Sequence, residues 1–194
     1  MKNFFLLGLT FILLGTACKQ KPKALSGKKF ISVVSLVEKQ VKHIDTSLYN
    51  IRKVTIYDSA HSDTQYIRRE EFRAAAKDFL EIPDLSDPAI AENLNEEASY
   101  DSLIKRVLIT YTPIDPQKSE IQKQEMLVST EVGADGNNKV INIIIDRIKS
   151  TRDGSFAQKM LWQMDKSFLV TTTTQKPNEP EKMVTVKVIW NDDN

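Results

Sequence analysis

A chain of 194 residues with 27 basic and 26 acidic side chains, formally +1, offers no electrostatic bias toward nucleic acid. Its single cysteine excludes an internal disulfide, so a folded domain must stand on its apolar core alone. The length suits one ordinary domain with a sizeable core.

The first stretch has the build of a secretory leader. Lys2 supplies a positive start, Phe4 to Leu14 form an apolar run, and Gly15, Thr16 and Ala17 give the small residues a signal peptidase needs. The run is too short to span a bilayer as a stable helix. Residues 1–17 therefore read as a signal peptide, residues 18–29 as a tether and residues 30–194 as a single domain. Ordinary cleavage after Ala17 would release a soluble secreted chain, since Gly-Thr-Ala satisfies the small-x-small rule.

Gly15-Thr16-Ala17-Cys18 resembles the lipobox of bacterial lipoproteins, with Gly15 standing where that family usually has leucine. The resemblance implies that Cys18 is lipidated, with palmitate among the acyl chains, and anchors the protein to a membrane of the bacterial cell envelope. Lys19 follows the cysteine in place of the aspartate that marks inner-membrane retention in this class, which points to the periplasmic face of the outer membrane. Several acyl chains, at about 0.8 kcal/mol per buried methylene, make such an anchor effectively permanent.

Residues 19–29 (KQKPKALSGKK) carry five lysines and no acid. They read as a flexible spacer whose lysines can also touch anionic headgroups. Over 28–48, Phe30, Val33, Val34, Val37, Val41, Ile44 and Leu48 recur at helical spacing and predict an amphipathic helix, with His43 at its boundary. A short strand follows at 51–57.

Asp58-Ser59-Ala60-His61-Ser62-Asp63 is the one place where Ser, His and Asp crowd together. A hydrolase would need a nucleophile, base and oxyanion hole in register, and no G-x-S-x-G elbow occurs in the chain. Asp58, His61 and Asp63 could offer three metal ligands, but their spacing matches no specific pattern. The plainer reading is a polar loop in which Ser62 and Gln65 cap a helix over 65–80. Phe72, Ala75, Ala76, Phe79 and Leu80 would form that helix's buried stripe. Asp87-Pro88 starts a further short helix. The stretch REEFRAAAKDFLEIPDLSD is similar to segments of uncharacterised envelope lipoproteins and implies no activity.

Seven acids and no base lie between Glu81 and Asp101, a solvated flank or a surface for a basic partner. From Tyr100 onward the period becomes two, predicting strands at 100–112, 122–132, 139–149, 156–164, 167–175 and 182–190. Asp135-Gly136 and Asp153-Gly154 give hairpin turns. The close spacing predicts an antiparallel meander of six to seven strands, curved around the two N-terminal amphipathic helices, in the α+β class. Met160, Trp162 and Met164 line one face of a strand, where they suit either a core or the soft wall of a ligand pocket.

The leading expectation is a membrane-anchored, non-enzymatic lipoprotein that binds an envelope protein partner and requires no cofactor. The alternatives are a carrier of an apolar small ligand held between sheet and helices, and a hydrolase or metal-dependent enzyme centred on His61.

Overall fold

The computed structural model describes residues 30–133 and 138–191. Helix α1 (Val33–Asp45) begins where the Ser32 hydroxyl accepts the Ser35 backbone N–H at 3.0 Å. Val33, Val37, Val41 and Ile44 share its buried face. The helix stops at Thr46, whose hydroxyl donates to the His43 carbonyl at 3.1 Å. A hairpin of β1 (Ile51–Ile56) and β2 (Ser62–Ile67) follows, then the short helices α2 (Arg69–Ala75), α3 (Lys77–Leu80) and α4 (Pro88–Ala91). The remainder is a run of strands: β3 (Leu94–Asp101), β4 (Arg106–Pro113), β5 (Ile121–Val132), β6 (Asn138–Thr151), β7 (Gly154–Gln163), β8 (Ser167–Gln175) and β9 (Lys182–Ile189).

The nine strands among the described residues form one antiparallel sheet in the order β2-β1-β9-β8-β7-β6-β5-β4-β3. Strands β3 to β9 are a continuous meander, and β9 then pairs with β1, so the first hairpin joins the last strand. The segment holding α2, α3 and α4 carries the chain from one edge of the sheet to the other. It crosses the face that α1 also covers, and Phe72 and Phe79 pack there against Trp162 and Phe168.

This architecture corrects the expected fold class. The described residues form a nine-stranded antiparallel sheet with small helices, rather than a curved meander of about six to seven strands with two N-terminal amphipathic helices packed on it. Two strands escaped the pattern for the same reason. In β3 only Leu94 is buried, and in β2 no residue is. Both are edge strands held by backbone pairing to β4 and β1, so neither needs an apolar alternation. The single strand expected over 100–112 is in fact the β3–β4 hairpin, folded at 102–105. The helix expected over 65–80 begins with the end of β2 and then splits into α2 and α3 at Ala76.

Smaller expectations shift with these. Ser62 and Gln65 lie on β2 and cap nothing; the Glu71 carboxylate instead accepts the Arg68 backbone N–H at 2.8 Å, at the start of α2. Leu48, counted in the α1 stripe, lies past the end of the helix and is 94% exposed. Val132 is exposed at the end of β5. The Asp87-Pro88 start stands as read, with the Asp87 carboxylate accepting the Ala89 N–H at 2.9 Å. The Asp135-Gly136 turn and residues 28–29 of the first helix lie outside the described residues.

Gly154 opens β7 with φ +139°, a conformation that side chains strongly disfavour. A Cβ there would run into the Gln175 carbonyl oxygen across the β7–β8 pair.

Candidate functional site

The strand that carries Met160 and Trp162 runs through the middle of the sheet, between β6 and β8, and ends at Gln163, so Met164 falls in the turn beyond it. Alternation sends Met160 and Trp162 to the helix-covered face, where both are fully buried. Trp162 stacks on Phe168 from the neighbouring strand, with ring centroids 5.0 Å apart and planes 15° from parallel. Phe79 stands edge-on to Trp162 at 5.0 Å, and Phe72 stands edge-on to Trp190 at 5.1 Å. These are favourable geometries for rings in contact. The space assigned to an apolar ligand is thus occupied by aromatic side chains from α2, α3, β8 and the end of β9. Met164 sits half-buried at the margin of this cluster.

Sequence reading missed a polar side chain in the same layer. Gln124 on β5 is almost fully buried, facing Tyr111 and Ile145, and its Nε2 has no hydrogen-bond partner among the described residues. Tyr111 is itself pushed above the usual phenol range, first by burial and then by the charge of Glu96. Only the strand register reveals this, because a lone Gln in an alternating run also fits the solvent face.

At the β1–β2 turn, Asp58 is a turn cap. Its Oδ1 accepts the backbone N–H of Ala60 at 2.7 Å and of His61 at 2.8 Å, and the carboxylate lies 2.8 Å from His61 Nδ1. The Ala60 backbone bond and the His61 side chain hold Asp58 below the usual carboxylate range. Both side chains face open water, and Asp63 stands apart on β2 opposite Thr55. Among the described residues no group of three His, Cys, Asp or Glu is placed to hold a metal ion. The crowding of Ser, His and Asp in the sequence is accounted for by a hairpin tip.

Two ionic clusters come together only through the fold. Gln40 of α1 clamps the β7–β8 turn: its Nε2 donates to Asp165 Oδ1 at 2.8 Å, and its Oε1 accepts the Asp165 N–H at 2.9 Å. Burial raises the Asp165 pKa, but the bonds from Gln40 and Lys139 and the charges of Lys139 and His43 prevail and hold it low. Farther along the sheet, Glu120 accepts from Arg147 at 2.8 Å and from Lys149 at 2.9 Å. Both bonds depress its pKa. Beside this cluster lies a shallow open hollow of about 610 Å³, lined by Pro116, Lys118, Glu120, Gln122 and Lys149 among others.

The sheet's two edges differ in charge. Strand β3 presents Glu96, Glu97 and Asp101 along its exposed length, whereas β2 carries Asp63 alone. Cys18 lies outside the described residues. Among those described, no helix is long and apolar enough to cross a membrane. Comparison with protein-family models, with curated proteins and with solved structures finds no match to this chain.

Proposed function

We propose that the chain is a bacterial cell-envelope lipoprotein, held on a membrane through lipidated Cys18, whose domain binds another envelope protein without catalysing a reaction. The observation that carries the reading is the order of parts at the N-terminus. An apolar leader ends in small residues at the only cysteine of the chain, and a lysine-rich spacer separates that cysteine from the folded domain. The binding role is supported by β3, an edge strand with unpaired backbone groups and acidic side chains, which suits a basic strand or loop of a partner. The aromatic filling around Trp162 favours this role over carriage of an apolar ligand.

Cys18→Ser expressed in a bacterium tests the anchor. The parent chain incorporates labelled palmitate and fractionates with membranes; the variant incorporates none and moves to the soluble fraction. Equal labelling and equal fractionation of the two proteins overturn the anchor. Crosslinking from Ser99, exposed on the same strand, in intact cells then recovers a discrete protein adduct, and its loss in Glu96→Lys/Glu97→Lys separates partner binding from anchoring.

A further inference from the structure

Antiparallel alternation puts the ends of β1-side and β3-side strands on one rim of the sheet. The start of β4, the end of β5, the starts of β6 and β8, the ends of β7 and β9, the start of β1 and the end of β2 all meet there. Among the described residues, the three most exposed large apolar side chains, Leu48 at 94%, Leu103 at 93% and Tyr66 at 75%, lie on this rim, far apart in sequence. Ile104 and Val132 are exposed beside Leu103. The opposite rim holds Ile114, Met183 and Tyr57, at 62%, 59% and 55%.

The hairpin tip that bears Leu103 and Ile104 is also prepared to leave water. Their backbone N–H groups both donate to Asp101 Oδ1, at 2.9 and 3.3 Å. The Lys105 carbonyl accepts from Arg106 at 3.1 Å and from the Thr130 hydroxyl at 3.3 Å. Three backbone groups of the tip thus have internal partners, which lowers the cost of bringing it to the headgroup layer. Lys105, Arg106, Lys139 and Lys166 stand at the strand ends and turns of this rim, against Asp101, Glu131 and Asp165. That mixture suits the headgroup layer of a bilayer.

We propose that this rim docks on the phospholipid surface, with Leu103, Ile104 and Leu48 entering the headgroup–acyl boundary. The inference rests on the membrane-anchored reading above and adds an orientation to it. The reach of the chain agrees. Phe30 packs on Tyr111 with ring centroids 4.9 Å apart. Tyr111 stands five positions along β4 from Arg106, so Phe30 lies roughly 17 Å above the rim. Residues 18–29 extend to about 40 Å at most, more than enough for Cys18 to sit in the same bilayer that the rim touches. A few apolar side chains bind a free surface weakly, but an anchored domain meets that surface at high effective concentration.

The test uses the chain from Cys18 onward, the species that leader cleavage leaves, coupled through its sole cysteine to maleimide lipid. The vesicles contain phosphatidylcholine and phosphatidylglycerol, with a nitroxide at a shallow acyl position as quencher. Leu103→Trp and Leu48→Trp report from the rim and Met183→Trp from the opposite end, each corrected for the buried Trp162 and Trp190 of the parent. Quenching at 103 and 48 several-fold above that at 183 is the expected result. Equal quenching at all three positions, or none at 103, overturns the proposal, because all three sites are exposed and circular dichroism verifies each fold. A photo-crosslinker at 103 in cells that captures protein in place of lipid also overturns it. Chemical coupling makes the outcome independent of whether cells lipidate Cys18, which the Cys18→Ser experiment decides separately.

Discussion

Replacing Phe72 by alanine measures whether the layer between sheet and helices is filled or open. Phe72 is fully buried and touches three rings edge-on, Trp190 at 5.1 Å, Phe168 at 5.9 Å and Trp162 at 6.3 Å. Truncating a buried phenylalanine costs about 3–5 kcal/mol through lost transfer energy and the cavity left behind. Edge-to-face pairs add roughly 0.5–1.5 kcal/mol each beyond area, so the upper part of that range applies here. A domain with about 5–15 kcal/mol of total stability loses a large share of it. Urea denaturation followed by circular dichroism, with a slope of about 2 kcal/mol per molar, should move the midpoint down by roughly 2 M. Leu48→Ala, at a 94% exposed position, should stay within about 0.5 kcal/mol of the parent. A loss under about 1 kcal/mol for Phe72→Ala would refute the packed reading. It would mean that the rings border a space already open, and the apolar carrier would regain its standing.

Two further perturbations probe the sheet. Gly154→Ala forces a side chain into a backbone conformation with φ +139° and against the Gln175 carbonyl; strain of roughly 1–3 kcal/mol should lower the melting temperature by several degrees. An unchanged melting temperature would show that the β6–β7 turn relaxes freely. Glu120→Gln tests the ionic cluster with Arg147 and Lys149. The folded-state pKa of Glu120 is depressed, so its contribution is present above the unfolded value near 4.3 and is lost as pH falls through the lower folded value. The variant should therefore be less stable by about 1 kcal/mol at pH 7, with the two denaturation curves converging in acid below the folded pKa. Parallel curves at every pH would exclude the ionised pair as the cause.

The strands from β5 to β9 were legible because each has an inner face of Ile, Val, Met, Phe or Trp at period two, and turn residues mark several of the ends. Helix α1 was legible through Val33, Val37, Val41 and Ile44. Its end was not, because Leu48 continues the helical spacing by coincidence while Thr46 closes the helix. Strands β2 and β3 left no periodic trace, since Ser62 to Ile67 and Asn95 to Asp101 are solvent-facing and owe their conformation to a neighbour's backbone. The site reading divided in the same way. Asp58, His61 and Asp63 stand close in sequence, yet the turn that joins β1 to β2 uses Asp58 to bind backbone N–H groups. Gln124, Asp165 and the Glu120–Arg147 pair depend on partners 27 to 125 residues away or on strand register, and no local spacing announces them.

Taken alone, the order of amino acids determined which strands and helix faces are apolar. Those are properties of adjacent residues, and one-dimensional spacing is enough to express them. The tertiary structure decided that β9 closes on β1, that the aromatic rings meet and fill the layer around Trp162, and that Leu48, Tyr66 and Leu103 share one rim. Each of these joins residues brought together by backbone pairing across the sheet. Hydrogen bonds between main chains carry no side-chain signature, so only the folded register reveals what lies beside what.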